Sequence, residues 1–326
     1  MHRYLLPVLF LLIVLGFGSC KQIDKKTEIK LAHSLDPSHP VHKGMVAMAD
    51  SLEAISGGEM TMKIYPSGQL GSEQQCLELL QIGSLAVTKV SAAVLEGFTE
   101  KFKVFGVPYL FLSKEHAFTV LDGPIGKKLL SGLEPFNMHG LCFYDAGARS
   151  FYTKDVAINS PDDLKDMKIR VMRSQTSINL VKSMGALPTP MSWGELYTSL
   201  QSGVVDGAEN NPPSFYTSHH YEVCKHYTLN EHSMIPDVLV VSTVVWNKLS
   251  EQEKEWLQQA AQMSVPVQRQ LWHESELESL QKVQEHGVEI IYPDKKPFAK
   301  RVEGIIESYK SNPVIYDLIQ QIRQTE

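Results

Sequence analysis

The sequence is poor in cysteine and has little excess charge of either sign. Four cysteines occur in 326 residues, and beyond Cys20 the remaining Cys76, Cys142 and Cys224 are odd in number and lack the spacing of a redox or metal motif. We therefore expect core or surface thiols. The formal net charge of −6 gives no general attraction to nucleic acid or anionic lipid. An anionic ligand would need a local cationic site.

Signatures of catalysis are absent from the sequence. It contains no G-x-S-x-G, G-x-G-x-x-G or H-E-x-x-H pattern, and DGPIGKK lacks the first glycine of a phosphate-binding loop. His219, His220, His226 and His232 raise the question of a metal, but neighbours on an extended chain point to opposite faces, which favours a surface histidine cluster. We predict a protein that is not an enzyme and that uses no metal and no cofactor.

The longest apolar run is too short for a membrane span. His2 and Arg3 precede LLPVLFLLIVLGF, whose thirteen residues fall below the ~20 that a bilayer requires. The run predicts a signal peptide over residues 1–19. The small residues before Cys20 resemble a bacterial lipobox, although Phe17 replaces the usual leucine. That resemblance implies lipidation of Cys20 and a tether over 20–27, with plain secretion as the alternative.

Strands alternate with helices in both halves of the chain. Apolar spacing predicts a helix over about 41–56, and the alternation in MTMKIY predicts a strand directly after it. Capping boxes at Ser72 and Ser192 begin further helices, and AVTKVS and MKIRVM are typical of short strands. Two such halves predict two α/β domains with a ligand crevice beyond the strand ends.

A third capping box, at Ser250, begins a helical run that extends to Gly287 and is interrupted only at Pro266. A run of this length exceeds what one compact domain usually holds. We expect it to bridge the two domains, with a kink at Pro266.

Several long motifs together resemble one known family. SGGEMTMKIYPSGQLGSEQQ, SPDDLKDMKIRVMRSQ and GALPTPMSWGELYTSLQSGVVDGAENNPPSF, in that order before the long helix, resemble the DctP-like solute-binding subunits of tripartite ATP-independent periplasmic (TRAP) transporters. The resemblance implies a bilobed, periplasmic-binding-protein-like α/β fold with a long helix across both lobes. Lobe I would comprise 28–147 and 237–275, and lobe II 148–236 and 276–326. The protein would capture an organic acid in the periplasm and deliver it to small and large permease subunits that use an ion gradient.

The resemblance also implies four site residues. Arg170, in the KIRV strand, would form the main salt bridge to the ligand carboxylate, and Arg149 would be a second cation. Asn210 would lie at the cleft floor, held by the prolines that follow, and Trp193 would offer a flat apolar face. A guanidinium matches the two oxygens of a carboxylate, which a lysine does not. Alternatively, Arg170 is a solvated edge residue, Trp193 a core residue and Asn210 a turn former.

Further candidates lie at strand ends and helix starts of the predicted domains, where a crevice would expose them. Each has a plain structural alternative, such as capping or solvation. They are His33, Glu73, Lys89, Ser91, Asn211 and Asp237.

The ligand class is the most open prediction. One arginine fork together with Trp193, asparagines and hydroxyls suits a sugar acid such as a hexuronate or aldonate, which the ENNPPSFY and KVSAAVLEGF segments also resemble. A four-carbon dicarboxylate would call for two separated cations, and Arg149 and Lys89 are the candidates for them. A periplasmic lyase or isomerase, and a ligand-sensing adaptor of a membrane signalling protein, are the rivals from other classes.

Overall fold

The computed structural model describes residues 26–325. The predicted signal peptide over 1–19 and the predicted lipidation site at Cys20 lie outside these residues. Within 26–325, no helix combines the length and the hydropathy that crossing a bilayer demands.

Two separate sheets organise the described chain. The first has the strand order β2-β1-β3-β10-β4, and the second β11-β9-β5-β8-β6-β7. The strands are β1 (Thr27–Ala32), β2 (Met60–Tyr65), β3 (Val87–Ser91), β4 (Met138–Tyr144), β5 (Arg149–Thr153), β6 (Lys168–Val171), β7 (Leu187–Pro190), β8 (Gly207–Asn210), β9 (His226–Ser233), β10 (Asp237–Ser242) and β11 (Glu289–Ile291). The parallel pairs β1–β2, β1–β3, β6–β7 and β6–β8 confirm the β-α-β pattern of both halves.

Helices cover both faces of each sheet. They are α1 (Pro40–Ile55), α2 (Glu73–Gln81), α3 (Ala92–Leu95), α4 (Lys114–Asp122), α5 (Pro124–Ser131), α6 (Gln175–Ser183), α7 (Leu196–Gln201), α8 (Pro212–Thr217), α9 (Thr243–Trp246), α10 (Glu251–Glu285), α11 (Lys295–Ser308) and α12 (Pro313–Arg323). Short 3₁₀ segments occupy Glu100–Gly106, Glu134–Phe136, Pro161–Leu164, Trp193–Glu195, His220–Glu222 and Tyr309–Ser311. The predicted capping boxes at Ser72, Ser192 and Ser250 are all present.

Strand alternation divides each sheet's apolar residues between two cores. On β10, Leu239 and Val241 pack with α1 and α10, whereas Val238 and Val240 pack on the other face with α12 and the Glu100–Gly106 turn. Successive side chains of the strand point to opposite faces of the sheet, and here both faces are buried. The strand is therefore a continuous run of apolar residues. The three remaining cysteines, Cys76, Cys142 and Cys224, are free thiols inside these cores.

The chain passes between the sheets at three loops and along one helix. It leaves the first sheet after β4, returns between β9 and β10, and returns again between α11 and α12. We propose that lobe I is built on the first sheet and lobe II on the second, with the predicted boundaries changed at one place. Pro313–Arg323 packs into the core beside β10, which favours assigning this helix to lobe I.

Helix α10 connects the two sheets' cores. Its first half, including Leu257 and Ala261, packs with α1 and β4, and Val283 packs in the core of the second sheet. The helix continues without a break through Pro266, and the kink expected at this residue stays a prediction. Proline removes one backbone N–H and costs about 3 kcal/mol within a helix, and the buried neighbours Val265 and Gln268 show that packing outweighs this cost.

Candidate functional site

A cavity of about 500 Å³ lies between the two sheets and draws its walls from both. This volume falls in the usual range for small-molecule sites, roughly 300–1,000 Å³. Nine of the ten predicted site residues line it: Glu73, Lys89, Ser91, Arg149, Arg170, Trp193, Asn210, Asn211 and Asp237.

Arg170 enters the cavity because of its place on β6. Its neighbours Ile169 and Val171 point into the core of the second sheet, so the side chain between them points to the opposite face. Its Nε and Nη2 donate to the Met191 carbonyl at 3.1 and 2.8 Å, and the guanidinium lies 5.7 Å from the Trp193 ring centroid. The residue is buried, not a solvated edge arginine.

Arg170 has no carboxylate partner within 26–325. Burial lowers the pKa of its guanidinium, since desolvation disfavours the charged form and Tyr152 and Glu209 compensate only in part. An anion bound in the cavity would again favour the charged form of the guanidinium, which burial disfavours.

Arg149, by contrast, is already neutralised. Its Nε and Nη2 donate to the two carboxylate oxygens of Glu209, and Nη2 also reaches the Glu209 carbonyl at 2.7 Å. Burial alone would raise the pKa of the Glu209 carboxyl, but Arg149 lowers that pKa to about 2. The remaining nitrogen, Nη1, donates to Asn210 Oδ1 at 2.8 Å. Arg149 therefore orients the Asn210 side chain, and its charge is already paired and not free for a ligand.

Asn210 and Asn211 have different tasks. Asn210 Oδ1 accepts from Arg149 and from the Asn211 backbone N–H at 3.0 Å, and its Nδ2 has no partner in the described chain. Asn211 caps α8 by accepting the Ser214 N–H at 2.8 Å, and its Nδ2 donates to the Ala146 carbonyl at 3.0 Å. The amide of Asn211 is thus occupied by the fold, and that of Asn210 keeps a donor for a ligand.

Pro212 and Pro213 occupy the first turn of α8. Proline is tolerated there because those N–H groups have no helical partner. They fix the chain directly after the two asparagines, as predicted for the segment.

Lys89 is held between two carboxylates on the wall formed by the first sheet. Its Nζ lies 2.8 Å from Glu73 Oε1 and 3.2 Å from Asp237 Oδ1, and Glu73 Oε2 accepts the Ser91 N–H at 3.3 Å. Burial opposes the ammonium, but Asp237 and Glu73 together raise the pKa of Lys89. The ion pair with Lys89 partly offsets the rise that burial produces in the pKa of Asp237. Ser91 caps α3.

His33 is the predicted residue that the cavity does not include. Its ring is buried, with Nδ1 accepting the Leu35 N–H at 3.1 Å and Nε2 lying 2.9 Å from His42 Nδ1. Burial lowers its pKa to about 3, so the ring is neutral. The strand end does face the crevice, but local hydrogen bonds turn this side chain inward.

The cavity also contains residues that the sequence analysis missed. His39, six residues beyond His33 and at the start of α1, has Nε2 3.1 Å from Ser214 Oγ on α8, and its ring centroid lies 5.7 Å from that of Trp272. Burial holds the pKa of His39 well below its usual value. The position of His39 after β1 was a usable signal, whereas Trp272 lies on α10, far away in the sequence.

The predicted surface histidine cluster is wrong for two of its members. His220 and His232 are each about 1% exposed, with Tyr152 Oη 2.9 Å from His220 Nδ1 and Asn230 Oδ1 3.1 Å from His232 Nδ1. Both rings pack against aromatic side chains, and this burial lowers the pKa of each imidazole. Over residues 26–325, no three His, Cys, Asp or Glu side chains group together as a metal site would require.

Comparison with known proteins decides the family. Residues 31–312 match the family model of bacterial extracellular solute-binding proteins, family 7 (DctP). The chain belongs to this family. The resemblance to TRAP solute-binding subunits, and the two-sheet α/β fold that it implied, are therefore confirmed.

Three similar proteins match this chain over 79% to 93% of its length. A TRAP periplasmic solute-binding protein from Bradyrhizobium sp., in complex with D-galacturonate, is 37% identical, covers 91% of this chain and all of its own, and superimposes with a TM-score of 0.89. The sugar-acid-binding protein of Advenella mimigardefordensis, in complex with galactonate, is 31% identical, with coverages of 93% and 99% and a TM-score of 0.89. The C4-dicarboxylate-binding periplasmic protein of Rhodobacter capsulatus is 31% identical over 79% of this chain and 78% of its own.

Proposed function

We propose that this family member captures a sugar acid, a hexuronate or an aldonate, in the cavity between its lobes and delivers it for uptake. The observation that carries the proposal is Arg170, a buried guanidinium that lines the cavity without a carboxylate partner in the described chain. One ligand carboxylate would supply the missing anion through a bidentate pair.

The neutral groups of the cavity support the sugar-acid class. Asn210 Nδ2 is an available donor, and the half-buried Trp193 presents an aromatic face beside Arg170. Such a face suits the C–H side of a sugar ring, and the polar atoms suit hydroxyls. Similar proteins crystallised with galacturonate and galactonate support the same class.

The four-carbon dicarboxylate alternative has weaker support. It relied on Arg149 and Lys89 as the two separated cations, but Glu209 neutralises the first and two carboxylates flank the second. A second ligand carboxylate would therefore meet no free buried cation at either position. The similarity to the Rhodobacter capsulatus protein keeps this alternative as an outcome for the test.

A thermal-shift screen over hexuronates, aldonates, aldarates and C4-dicarboxylates tests the function. At 100 times its dissociation constant, a true ligand stabilises the protein by about 2.7 kcal/mol. We expect the largest shifts with hexuronates or aldonates. Recovery of the ligand chemically unchanged, checked by NMR, would support binding without catalysis, and turnover would favour the lyase or isomerase alternative.

The location and partners are part of the same proposal. We propose export by the signal peptide over residues 1–19, retention in the periplasm through lipidated Cys20, and transfer of the ligand to small and large TRAP permease subunits. Mass spectrometry of the mature N-terminus tests the anchor, with Cys20→Ser as the control. A diacylglyceryl cysteine at residue 20 is the expected result, and an unmodified terminus at another residue would contradict it.

A further inference from the structure

The cavity wall formed by the first sheet carries a formal negative charge. Lys89 contributes one positive charge, and Glu73 and Asp237, at 2.8 and 3.2 Å from its Nζ, contribute two negative charges. All three side chains line the cavity. Asp237 Oδ2 accepts no hydrogen bond from the described residues, so it remains an acceptor facing the site.

The opposite wall is positive. Arg149 and Glu209 cancel, which leaves the buried Arg170 as the uncompensated charge of the second sheet's wall. Arg173, Glu195 and Glu78 also line the cavity, but all three are exposed, so water screens their charges. The cavity is therefore polarised, positive beside β6 and negative where β3 meets β10.

From this polarity we infer that Glu73, Lys89 and Asp237 form a selectivity element, which accepts the hydroxyl end of a monocarboxylate and rejects a second carboxylate. The inference rests on the proposed function, since it concerns the end of the ligand remote from Arg170. It narrows the ligand class to acids with one carboxylate and several hydroxyls, and it excludes aldarates and C4-dicarboxylates.

Two physical effects produce this discrimination. A carboxylate placed against the wall meets a like charge, and like-charge contacts across an interface cost several kcal/mol. A hydroxyl instead donates to the carboxylate oxygens of Asp237 or Glu73, forming a charge-assisted hydrogen bond. The Lys89 ammonium pairs with both carboxylates and holds them in place, so the wall is pre-arranged for donors.

Matched ligand pairs that differ in the oxidation of one end test the inference. Calorimetric titration would compare D-galacturonate with galactarate, and gluconate with glucarate, on the wild-type protein and on Glu73→Gln and Asp237→Asn. We expect the wild type to prefer the monoacid of at least one pair by roughly 100-fold. Each variant neutralises one carboxylate, and we expect the preference to shrink by about tenfold or more.

Glu53→Gln is the control, because it removes the same charge from an exposed side chain of α1 that neither lines the cavity nor contacts Lys89. It should leave the preference within about threefold of wild type, and melting temperatures would verify that all variants are folded. Equal binding of monoacid and diacid by the wild type would overturn the inference, as would variants that keep the wild-type preference. Binding of aldonates but of no hexuronate would narrow the proposed ligand to aldonates and leave the selectivity inference standing. Exclusive binding of diacids would contradict the inference.

Discussion

Replacing Arg170 separates ligand binding from folding more sharply than any other change in the cavity. The guanidinium is buried, donates two hydrogen bonds to the Met191 carbonyl, and has no carboxylate partner in the described chain. Arg170→Ala removes the charge that a ligand carboxylate would pair with. We expect binding to be lost while the ligand-free protein keeps its stability.

The magnitude follows from the environment of the side chain. Two charges 4 Å apart attract by about 4 kcal/mol at an effective dielectric constant near 20. Removing one partner of a buried pair typically costs about 3–5 kcal/mol, which corresponds to a roughly 100- to 5,000-fold weaker affinity. Arg170→Lys keeps the charge but loses the planar fork, so we expect a loss of at least about tenfold.

Isothermal titration with D-galacturonate measures the effect, and urea unfolding of the ligand-free protein is the companion experiment. The unfolding free energy of Arg170→Ala should stay within about 1 kcal/mol of wild type, since no carboxylate is left unpaired. Arg173→Ala serves as the control because that arginine is exposed, and its affinity should fall by less than about fivefold. Near wild-type affinity in Arg170→Ala would refute the reasoning.

Three other predictions concern stability, acid and motion. Arg149→Met should destabilise the protein by about 3–5 kcal/mol by leaving Glu209 buried and unpaired, and Arg149→Met with Glu209→Met should recover most of this in urea unfolding; equal stability of the two would contradict it. Burial lowers the pKa of His33 and that of His220 to about 3 each, so the unfolded chain binds more protons than the folded protein below pH 6.5. The free energy of unfolding should therefore decline below pH 6.5 by up to about 1.4 kcal/mol per pH unit for each histidine. His220→Gln should flatten the slope of stability against pH between pH 6.5 and 4.5, and an unchanged slope would count against this prediction. Ligand should bring the lobes together, because contacts to both walls favour the closed state; small-angle scattering at saturation should give a smaller radius of gyration, and an unchanged value would argue for a rigid cleft.

The elements of the fold were predictable because their signals are local. Capping boxes at Ser72, Ser192 and Ser250, and alternation around Arg170, depend on neighbours within a few residues. Pro266 shows the limit of local signals. A proline usually ends or kinks a helix, but the distant packing partners of α10 explain why this helix continues through it.

The division of labour between the two arginines could not be predicted locally. The antiparallel register of β5 and β8 pairs Phe151 with Glu209, which places Arg149 diagonally across from that carboxylate. No spacing in the sequence gives this register. Trp272 was missed for the same reason, because its contact with His39 joins the middle of α10 to the start of α1.

The central claim is that the cavity is built for a sugar acid held through Arg170. Direct calorimetric titration of the wild-type protein with D-galacturonate, D-glucuronate, D-galactonate and succinate tests it in one series. A site made for hydroxyls loses about 1–3 kcal/mol for each buried polar group that a ligand leaves unpaired, so a sugar acid should bind at least about 100-fold more tightly than succinate. Equal or tighter binding of succinate would contradict the claim.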